Sequence, residues 1–358
     1  MHHRFIFNLI LIFVLILSAT VFAQSGRIKP SETPTPTSQR PRIIYTPLPA
    51  SYPTAKPTPK LTPPKKDVED GDEVIAISSS LVPIPASVID AAGKPVVNLK
   101  LEDFELSVNG AAAEIADIFR SESPVRLAML FDNSSSVSIA REFEKKAAIK
   151  FFKRVIRPDK DLAALFSVAS GTRLEQPLTK NSEQIIQAIE NFPKPEGATA
   201  LLDAIIKAAD YLKEVNGRRV IVIVSDGDDT ISDSTFEQTV RAVQAANCQV
   251  YIVKTTDFEN FKRTGQRGGN ANIRQLTAER RMQEIAMQTG GAVYSPIDEK
   301  ELDRSFNQIS AELSQTYILN YYPEELPKSN EFRSIALKVK GRDDLIVRTR
   351  KGYYISKH

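Results

Sequence analysis

The spacing of hydrophobic positions between residues 124 and 323 alternates between two patterns. Short apolar runs rich in Val, Ile and Leu are followed by longer stretches in which apolar positions recur every three or four residues. The short runs predict strands and the longer stretches predict helices. The predicted strands are Val125–Phe131, Asp161–Val168, Thr172–Leu178, Arg219–Val224, Gln249–Lys254, Ala292–Ser295 and Thr316–Tyr321. The predicted helices are Ile139–Val155, Ser182–Asn191, Leu201–Val215, Ser234–Ala246, Ile273–Thr289 and Glu299–Ser314.

This alternation predicts an α/β fold with a doubly wound, mostly parallel sheet of the six-stranded type. The run Thr172–Leu178 follows its predecessor after only a short turn that contains Gly171. So short a connection cannot cross over between parallel strands, and we expect an antiparallel edge strand there.

Strand patterns also occur on both sides of this region. Before it, residues 74–77, 81–89, 101–108 and 111–118 read as strands, and Asn109-Gly110 is a strong hairpin signal. After it, residues 332–339, 345–349 and 352–355 read as strands. The N-terminal set alone has few strands for a stable sandwich, so we expect the two ends to meet in one small β-sandwich, with the α/β domain inserted between them.

The N-terminus carries the features of an export signal. Arg4 precedes an almost wholly apolar run from Phe5 to Leu17, and small residues precede a cut after Ala23. An uncleaved anchor that leaves the body outside the cytoplasm is the alternative, because Phe5 to Ala23 carries no charge. Either reading predicts an exported protein that is periplasmic, in the cell envelope or extracellular.

Residues 24–66 contain half of the chain's 22 prolines and favour an extended spacer. We therefore divide the chain into a signal peptide (1–23), a Pro/Thr/Lys-rich disordered linker (24–72), an N-terminal β region (73–121), an α/β domain (124–323) and a C-terminal β-hairpin (330–358) that packs on the N-terminal β region.

Positive charge is concentrated in the linker. Residues 24–66 carry eight Lys or Arg and one acid, Glu32, while the whole chain is only +3, so the folded body is acidic overall. Nucleic-acid binding is not expected, because it needs positive charge on a folded face. A plain soluble spacer is the preferred interpretation of the linker, and a weak contact with an anionic cell surface is the alternative. Oligomeric state cannot be read from the sequence.

The few His and Cys residues exclude several kinds of chemistry. The three histidines are His2, His3 and His358, at the extreme ends of the chain, and Cys248 is the single cysteine. Nucleophilic systems based on Ser-His-Asp or Cys-His cannot form in the body, nor can the usual His- or Cys-based zinc sites or an intrachain disulfide.

Hydroxyl and carboxyl side chains follow two predicted strands and one predicted helix. Asp132, Ser134 and Ser136 follow the first strand of the α/β domain, Asp226 follows the fourth, and Thr199 lies between them in Gly197-Ala-Thr. Ligands of doubly wound sheets bind beyond the carboxyl ends of the strands, and two acids brought together there need a cation or a proton between them. This all-oxygen set predicts a hard divalent cation, with Mg²⁺ the expected ion and Mn²⁺ or Ca²⁺ the alternatives.

Asp132-x-Ser134-x-Ser136, then Thr199, then Asp226 resembles the metal-ion-dependent adhesion site of von Willebrand factor type A domains. The segment that ends in Phe104-Glu-Leu-Ser-Val-Asn-Gly, together with Tyr317-Ile-Leu-Asn-Tyr-Tyr-Pro and Arg350-Lys-Gly-Tyr-Tyr, resembles secreted bacterial proteins related to that family. The resemblance spans residues about 74 to 355. It implies a strand order of 3-2-1-4-5-6, with the hydroxyls of Ser134, Ser136 and Thr199 as metal ligands. It also implies that Asp132 and Asp226 bind the ion directly or through water.

The acids near these positions have ordinary alternatives. Any one motif alone would be an N-cap or a turn. We interpret Asp203 as a second-shell or capping residue, Asp228 and Asp229 as a solvated turn or acidic rim, and residues 254–274 as a flexible, solvated loop near the metal face.

Enzyme readings fit poorly. Ser134 stands where an aspartyl-phosphate phosphatase needs its general acid, the phosphate-binding loop is missing, and a metal-assisted hydrolase would have no base other than the acids themselves. We therefore expect a binding protein, an adhesion or assembly module that captures an Asp or Glu of a protein ligand through a cation. The alternative is a structural envelope component whose metal site only stabilises the fold.

Overall fold

The computed structural model describes residues 81–355 except residues 122, 139, 267–271 and 324–330. The predicted signal peptide, the linker and the predicted strand at 74–77 lie outside the described residues. The strands are β1 (Val82–Ile89), β2 (Phe104–Val108), β3 (Ala111–Ala113), β4 (Asp117–Ser121), β5 (Val125–Asp132), β6 (Leu162–Val168), β7 (Thr172–Thr179), β8 (Arg218–Ser225), β9 (Cys248–Lys254), β10 (Val293–Tyr294), β11 (Thr316–Tyr321), β12 (Phe332–Val339), β13 (Ile346–Thr349) and β14 (Gly352–Tyr354). The helices are α1 (Arg141–Val155), α2 (Ser182–Glu190), α3 (Leu201–Lys213), α4 (Phe236–Ala245), α5 (Thr256–Thr264), α6 (Ile273–Thr289) and α7 (Glu299–Ser314).

A six-stranded sheet forms the centre of the α/β domain, in the order β10-β9-β8-β5-β6-β7. Numbered within the domain, this is the expected order 3-2-1-4-5-6. The pairs β10–β9, β9–β8, β8–β5 and β5–β6 are parallel, and β7 pairs antiparallel with β6 at the edge. The predicted fold class and the predicted antiparallel edge are both confirmed.

Helices cover both faces of this sheet. Alternate residues of the central strand β5 enter different cores: Leu127, Met129 and Phe131 enter one, and Ala128 and Leu130 the other. Helices α1, α2, α5 and α7 pack on the first face, whereas α3, α4 and α6 pack on the second. Strands buried on both faces need near-continuous apolar sequence, which explains the unbroken Val/Ile/Leu runs.

The segments before and after the α/β domain form a β-sandwich, as predicted. One sheet has the order β13-β1-β11-β4 and the other β14-β12-β2-β3, and their inner faces share one core. The turn between β2 and β3 is Asn109-Gly110, with positive φ at both residues (50° and 81°), which is the geometry of a type I′ hairpin.

Strand β11 belongs to this sandwich and not to the α/β sheet in which we predicted it. It lies between β1 and β4, and all six of its residues are buried. A strand that is buried on both faces looks the same in either sheet, so periodicity could not assign it. The predicted return strand at 111–118 is also wrong as one element, since β3 and β4 lie in opposite sheets.

The predicted loop 254–274 contains helix α5. Asp257 and Glu259 lie in its first turn, Lys262 and Arg263 in its last, and Gly265 ends it with φ +71°. These charges complement the helix dipole, and glycine accepts the left-handed conformation of a helix end, so local sequence signals for this helix were present.

A buried carboxylate joins the last helix of the α/β domain to the sandwich. Glu312 of α7 is 1% exposed and accepts hydrogen bonds from Arg348 of β13 (2.6 Å), from the Tyr294 hydroxyl (3.0 Å) and from the Tyr251 hydroxyl (3.1 Å). Because one carboxylate binds groups of β9, β10 and β13, it fixes the register between α7 and both sheets.

Candidate metal centre

The two predicted metal-binding acids follow neighbouring parallel strands. Strand β5 ends at Asp132, and β8 ends at Ser225, directly before Asp226. Phe131 lies opposite Val224 in the sheet register, so the two acids leave the sheet at the same edge. At this edge the chain connections run in opposite directions on either side of β5, which makes it the switch point where doubly wound sheets bind ligands.

Hydrogen bonds fold the loop after β5 around the Asp132 carboxylate. The Ser134 N–H donates to Asp132 Oδ1 at 2.9 Å, and the Ser225 hydroxyl donates to Asp132 Oδ2 at 2.5 Å. The Ser134 and Ser136 hydroxyls lie 2.9 Å apart. This turn therefore brings the first three predicted ligands together at one place.

The segment with Thr199 is tied to both of the other loops. The Ser135 N–H donates to the Gly197 carbonyl at 3.2 Å, and the Thr199 carbonyl accepts from the Thr230 N–H at 2.8 Å. The Thr199 N–H in turn donates to the Thr230 hydroxyl at 2.9 Å. Hydrogen bonds thus join the loops after β5, before α3 and after β8.

The centre has a buried side and a side that faces solvent. Asp132, Ser134 and Thr199 are at most 2% exposed, Asp226 is half-buried and Ser136 is exposed. Burial and then the charge of Asp226 raise the pKa of Asp132 to about 6. Burial also raises the pKa of Asp226, against hydrogen bonds from Asp228 and Ser136 that lower it. The positive charge near these two carboxylates is therefore too small to offset the cost of burying them.

The donor chemistry fits a hard cation. Two carboxylates and three hydroxyls are oxygen ligands of the kind that Mg²⁺, Mn²⁺ and Ca²⁺ prefer. Within the described residues, no group of three or more His, Cys, Asp or Glu is arranged to hold a metal ion. The candidate centre does not need one, because hydroxyls supply the larger part of its donors.

The neighbouring acids hold the loops in place. The Asp203 carboxylate accepts from the Asp233 and Ser234 N–H groups, each at 3.0 Å. Burial would raise the pKa of Asp203, but these hydrogen bonds outweigh it and the pKa is lowered. Asp203 thus holds the backbone at residues 233 and 234, and its role beside the proposed metal ligands stays a prediction.

Asp229 is not the solvated rim residue that we expected. Its Oδ1 accepts from the Leu201 and Leu202 N–H groups (2.8 and 3.2 Å) and so caps the start of α3. Asp228, by contrast, forms an ion pair at 2.7 Å with the exposed Arg274, so it does lie at the rim.

Two further acids, which the sequence analysis did not identify, lie close to this centre. Glu144 of α1 is 0% exposed, and Glu259 of α5 is half-buried. Burial and then the charges of Asp226 and Asp132 raise the pKa of Glu259 to about 8. The sequence gives no local signal for the burial of Glu144, which lies among the charged residues Glu142, Lys145 and Lys146.

The raised pKa values predict how the metal-free chain responds to pH. The pKa of Asp132 rises from 3.8 to about 6, and that of Glu259 rises from 4.5 to about 8. Both groups therefore favour the folded state in their protonated forms. That stabilisation is complete below the unfolded-state pKa values and is lost as pH rises through the folded ones. With a chelator present, we expect the melting temperature to fall between pH 4 and pH 8, as measured by circular dichroism.

Excess Mg²⁺ should remove most of this fall, because a bound cation stabilises the ionised carboxylates. Asp132→Asn is the control and should give a shallower pH dependence in chelator. A metal-free melting temperature that stays level or rises over the same range would contradict these assignments.

Residues 127–228 match the von Willebrand factor type A domain family. A comparison with curated proteins gives no match. Domains of this family mediate protein–protein interaction and are typically not enzymes. The match covers β5 to the loop after β8, which includes all five predicted metal ligands.

Three similar solved structures span different shares of the chain. A von Willebrand factor type A protein from Catenulispora acidiphila is 10% identical, with 80% of this chain and 76% of that chain covered and a TM-score of 0.45. The BatB protein from Bacteroides thetaiotaomicron is 18% identical, with 52% of this chain and 97% of that chain covered and a TM-score of 0.40. The PilB minor pilin from Streptococcus sanguinis is 12% identical, with 55% of this chain and 62% of that chain covered and a TM-score of 0.41. This chain therefore spans less than two thirds of that pilin.

Over the described part of the chain, every helix is too short or too polar to cross a bilayer.

Proposed function

We propose that this chain is an exported adhesion or assembly module that captures a protein ligand through a divalent cation. Asp132, Ser134, Ser136, Thr199 and Asp226 would hold the ion, with Mg²⁺ the expected species and Mn²⁺ or Ca²⁺ the alternatives. When bound, the cation would supply a coordination position for a carboxylate oxygen of the partner. The protein's own residues would orient that oxygen and exclude water around it.

The observation that carries the proposal is a buried carboxylate and a half-buried one that repel each other at the switch point of the sheet, beside a hydroxyl that faces solvent. Asp132 is 1% exposed, yet burial and the charge of Asp226 raise its pKa. Ser136, bonded to Ser134, is exposed. A site that is buried on the acid side and open on the hydroxyl side can hold an ion and still receive a ligand.

Export and an envelope or extracellular location are part of the proposal and rest on the N-terminal sequence. A weak contact of the basic segment 24–66 with an anionic surface is part of the same proposal.

A structural role for the metal is the second candidate. It is favoured by the hydrogen bonds that join the three loops of the centre, since an ion held there would also stabilise them. In that case, removal of the ion would lower the melting temperature without a change in partner binding.

The test compares two neighbouring serines. Ser136→Ala removes a proposed ligand, whereas Ser135→Ala removes an exposed hydroxyl from the same turn. The full chain would be immobilised and used to capture proteins from envelope extracts with Mg²⁺ or with a chelator. We expect capture by the wild type and by Ser135→Ala in Mg²⁺ only, and at least about a tenfold loss in Ser136→Ala.

Capture that survives the chelator, or that is equal in Ser136→Ala and Ser135→Ala, would contradict the adhesion role. Melting curves of the same proteins would then show whether the metal has the structural role instead.

A further inference from the structure

A set of unpartnered oxygens lies beneath the candidate metal centre. Within the described residues, four buried side-chain oxygens have no hydrogen-bond partner: both carboxylate oxygens of Glu144, the hydroxyl of Thr255 and Oε1 of Glu259. Buried polar atoms in proteins are nearly always paired, so four unpaired acceptors in one place need an explanation. The remaining unpaired buried atoms of this kind are arginine nitrogens at other sites.

The packing of α1 against α5 brings these residues together. Phe143, next to Glu144, stacks on Phe258, next to Glu259, with ring centroids 3.7 Å apart and an interplanar angle of 7°. The Glu259 N–H donates to the Thr255 carbonyl at 3.0 Å, so these two residues are one helical turn apart. The Thr255 hydroxyl and the Glu259 carboxylate therefore project from one side of α5 towards α1.

The same group lies next to the switch point of the sheet. The Thr255 N–H donates to the Ser225 carbonyl at 3.0 Å, and the Thr256 hydroxyl donates to the Asp226 carbonyl at 2.9 Å. A pocket of about 130 Å³ lies beside this group, and Asp226, Thr256, Glu259, Asn260 and Arg263 are among its lining residues. An ion could enter from solvent through this pocket.

The electrostatics of Glu144 favour a cation beside its carboxylate. Its pKa is raised well above the usual range by burial and by the charges of Asp132, Glu259 and Asp226. The Thr255 hydroxyl lowers this pKa, but the two groups do not reach hydrogen-bond geometry. Burying carboxylates without a cation or a hydrogen-bond donor is very costly, so the site must hold either protons or a metal ion.

We propose that Glu144, Glu259 and Thr255 form a second site for a hard divalent cation, Ca²⁺ or Mg²⁺, separate from the five-residue centre above it. One cation can bind these oxygens as ligands, since carboxylate and hydroxyl oxygens are the ligands that such ions prefer. The site does not depend on the proposed adhesion function, because none of its three residues belongs to the first centre.

Calcium titration of the full chain by calorimetry at neutral pH tests this proposal. The variants are Glu144→Gln, which removes the charge and keeps the shape, and the double change Ser134→Ala with Ser136→Ala, which removes hydroxyls of the first centre only. Glu142→Gln, an exposed acid on the same helix, is the matched control. We expect the wild type and Glu142→Gln to bind one ion more than Glu144→Gln, and the double variant to keep the second ion.

A single ion that disappears in the double variant and is unchanged in Glu144→Gln would overturn this proposal and leave the first centre intact. Two ions in the double variant would instead count against the first centre. Melting curves in chelator show whether Glu144→Gln is folded. If Glu144→Gln does not fold, Thr255→Val is used in its place. We then expect the affinity for the second ion to fall at least about tenfold, and an unchanged affinity would overturn the proposal.

Discussion

Asp132→Ala is expected to abolish partner capture in Mg²⁺ and to leave the melting temperature of the metal-free chain almost unchanged. Loss of a residue that only supports a metal ligand typically costs 10- to 100-fold in metal affinity, so loss of a proposed ligand should cost at least about 100-fold. Without the ion, the proposed ligand position for the partner's carboxylate is lost.

The near-constant stability follows from two opposing effects on the buried carboxylate. A pKa raised from 3.8 to about 6 means that the ionised group destabilises the fold by about 3 kcal/mol at neutral pH, as an order of magnitude. That net cost already includes the hydrogen bonds from Ser225 and Ser134. Asp132→Ala removes the net cost but leaves these two donors without their acceptor, at about 1–3 kcal/mol each, and the two effects nearly cancel.

Capture assays and thermal melts of Asp132→Ala, with Ser135→Ala as the control, measure both effects. A large drop in melting temperature with capture preserved would support the structural role of the centre and count against the adhesion role.

Arg348→Met is expected to destabilise the chain by about 3–5 kcal/mol, because it leaves the Glu312 carboxylate buried without its cationic partner. Glu312 is 1% exposed, and the Tyr251 and Tyr294 hydroxyls donate to it but carry no charge to balance it. Since Arg348 belongs to β13 and Glu312 to α7, the loss is expected to affect the α/β domain and the sandwich together.

Arg342→Ala is the matched control for this ion pair. Arg342 pairs with Asp344 at 2.8 Å, but both side chains are at least half exposed, and such surface pairs contribute about 0–1 kcal/mol. Urea unfolding at neutral pH compares the two variants. Equal free energies of unfolding would contradict the assigned role of Glu312, and two separate transitions in the wild type would contradict the coupling of the two parts.

The sequence predicted the α/β sheet well because each of its strands is bounded by clear local signals. The apolar run of β5 ends at Asp132, that of β8 ends before Asp226, and the short turn at Gly171 allows only an antiparallel neighbour. Asn109-Gly110 fixed the hairpin of the sandwich for a similar reason, since few residues accept positive φ at two successive positions.

The features that were missed depend on contacts between distant parts of the chain. The run Thr316–Tyr321 is equally compatible with two sheets, and only its pairing with β1 and β4 assigns it to the sandwich. Glu144 looks like a surface acid of an amphipathic helix, but the stacking of Phe143 on Phe258 buries that side of α1. Helix α5 is short and strongly charged, so its composition resembled a loop despite its capping signals.

Calorimetric titration of Mg²⁺ or Mn²⁺ into the full chain tests the central claim most directly. If the side chains of Asp132, Ser134, Ser136, Thr199 and Asp226 form a cation site, the wild type will give a binding heat that Asp226→Ala lacks. Identical heats from the two proteins, or no heat from either, would contradict the metal centre and with it the proposed mode of ligand capture.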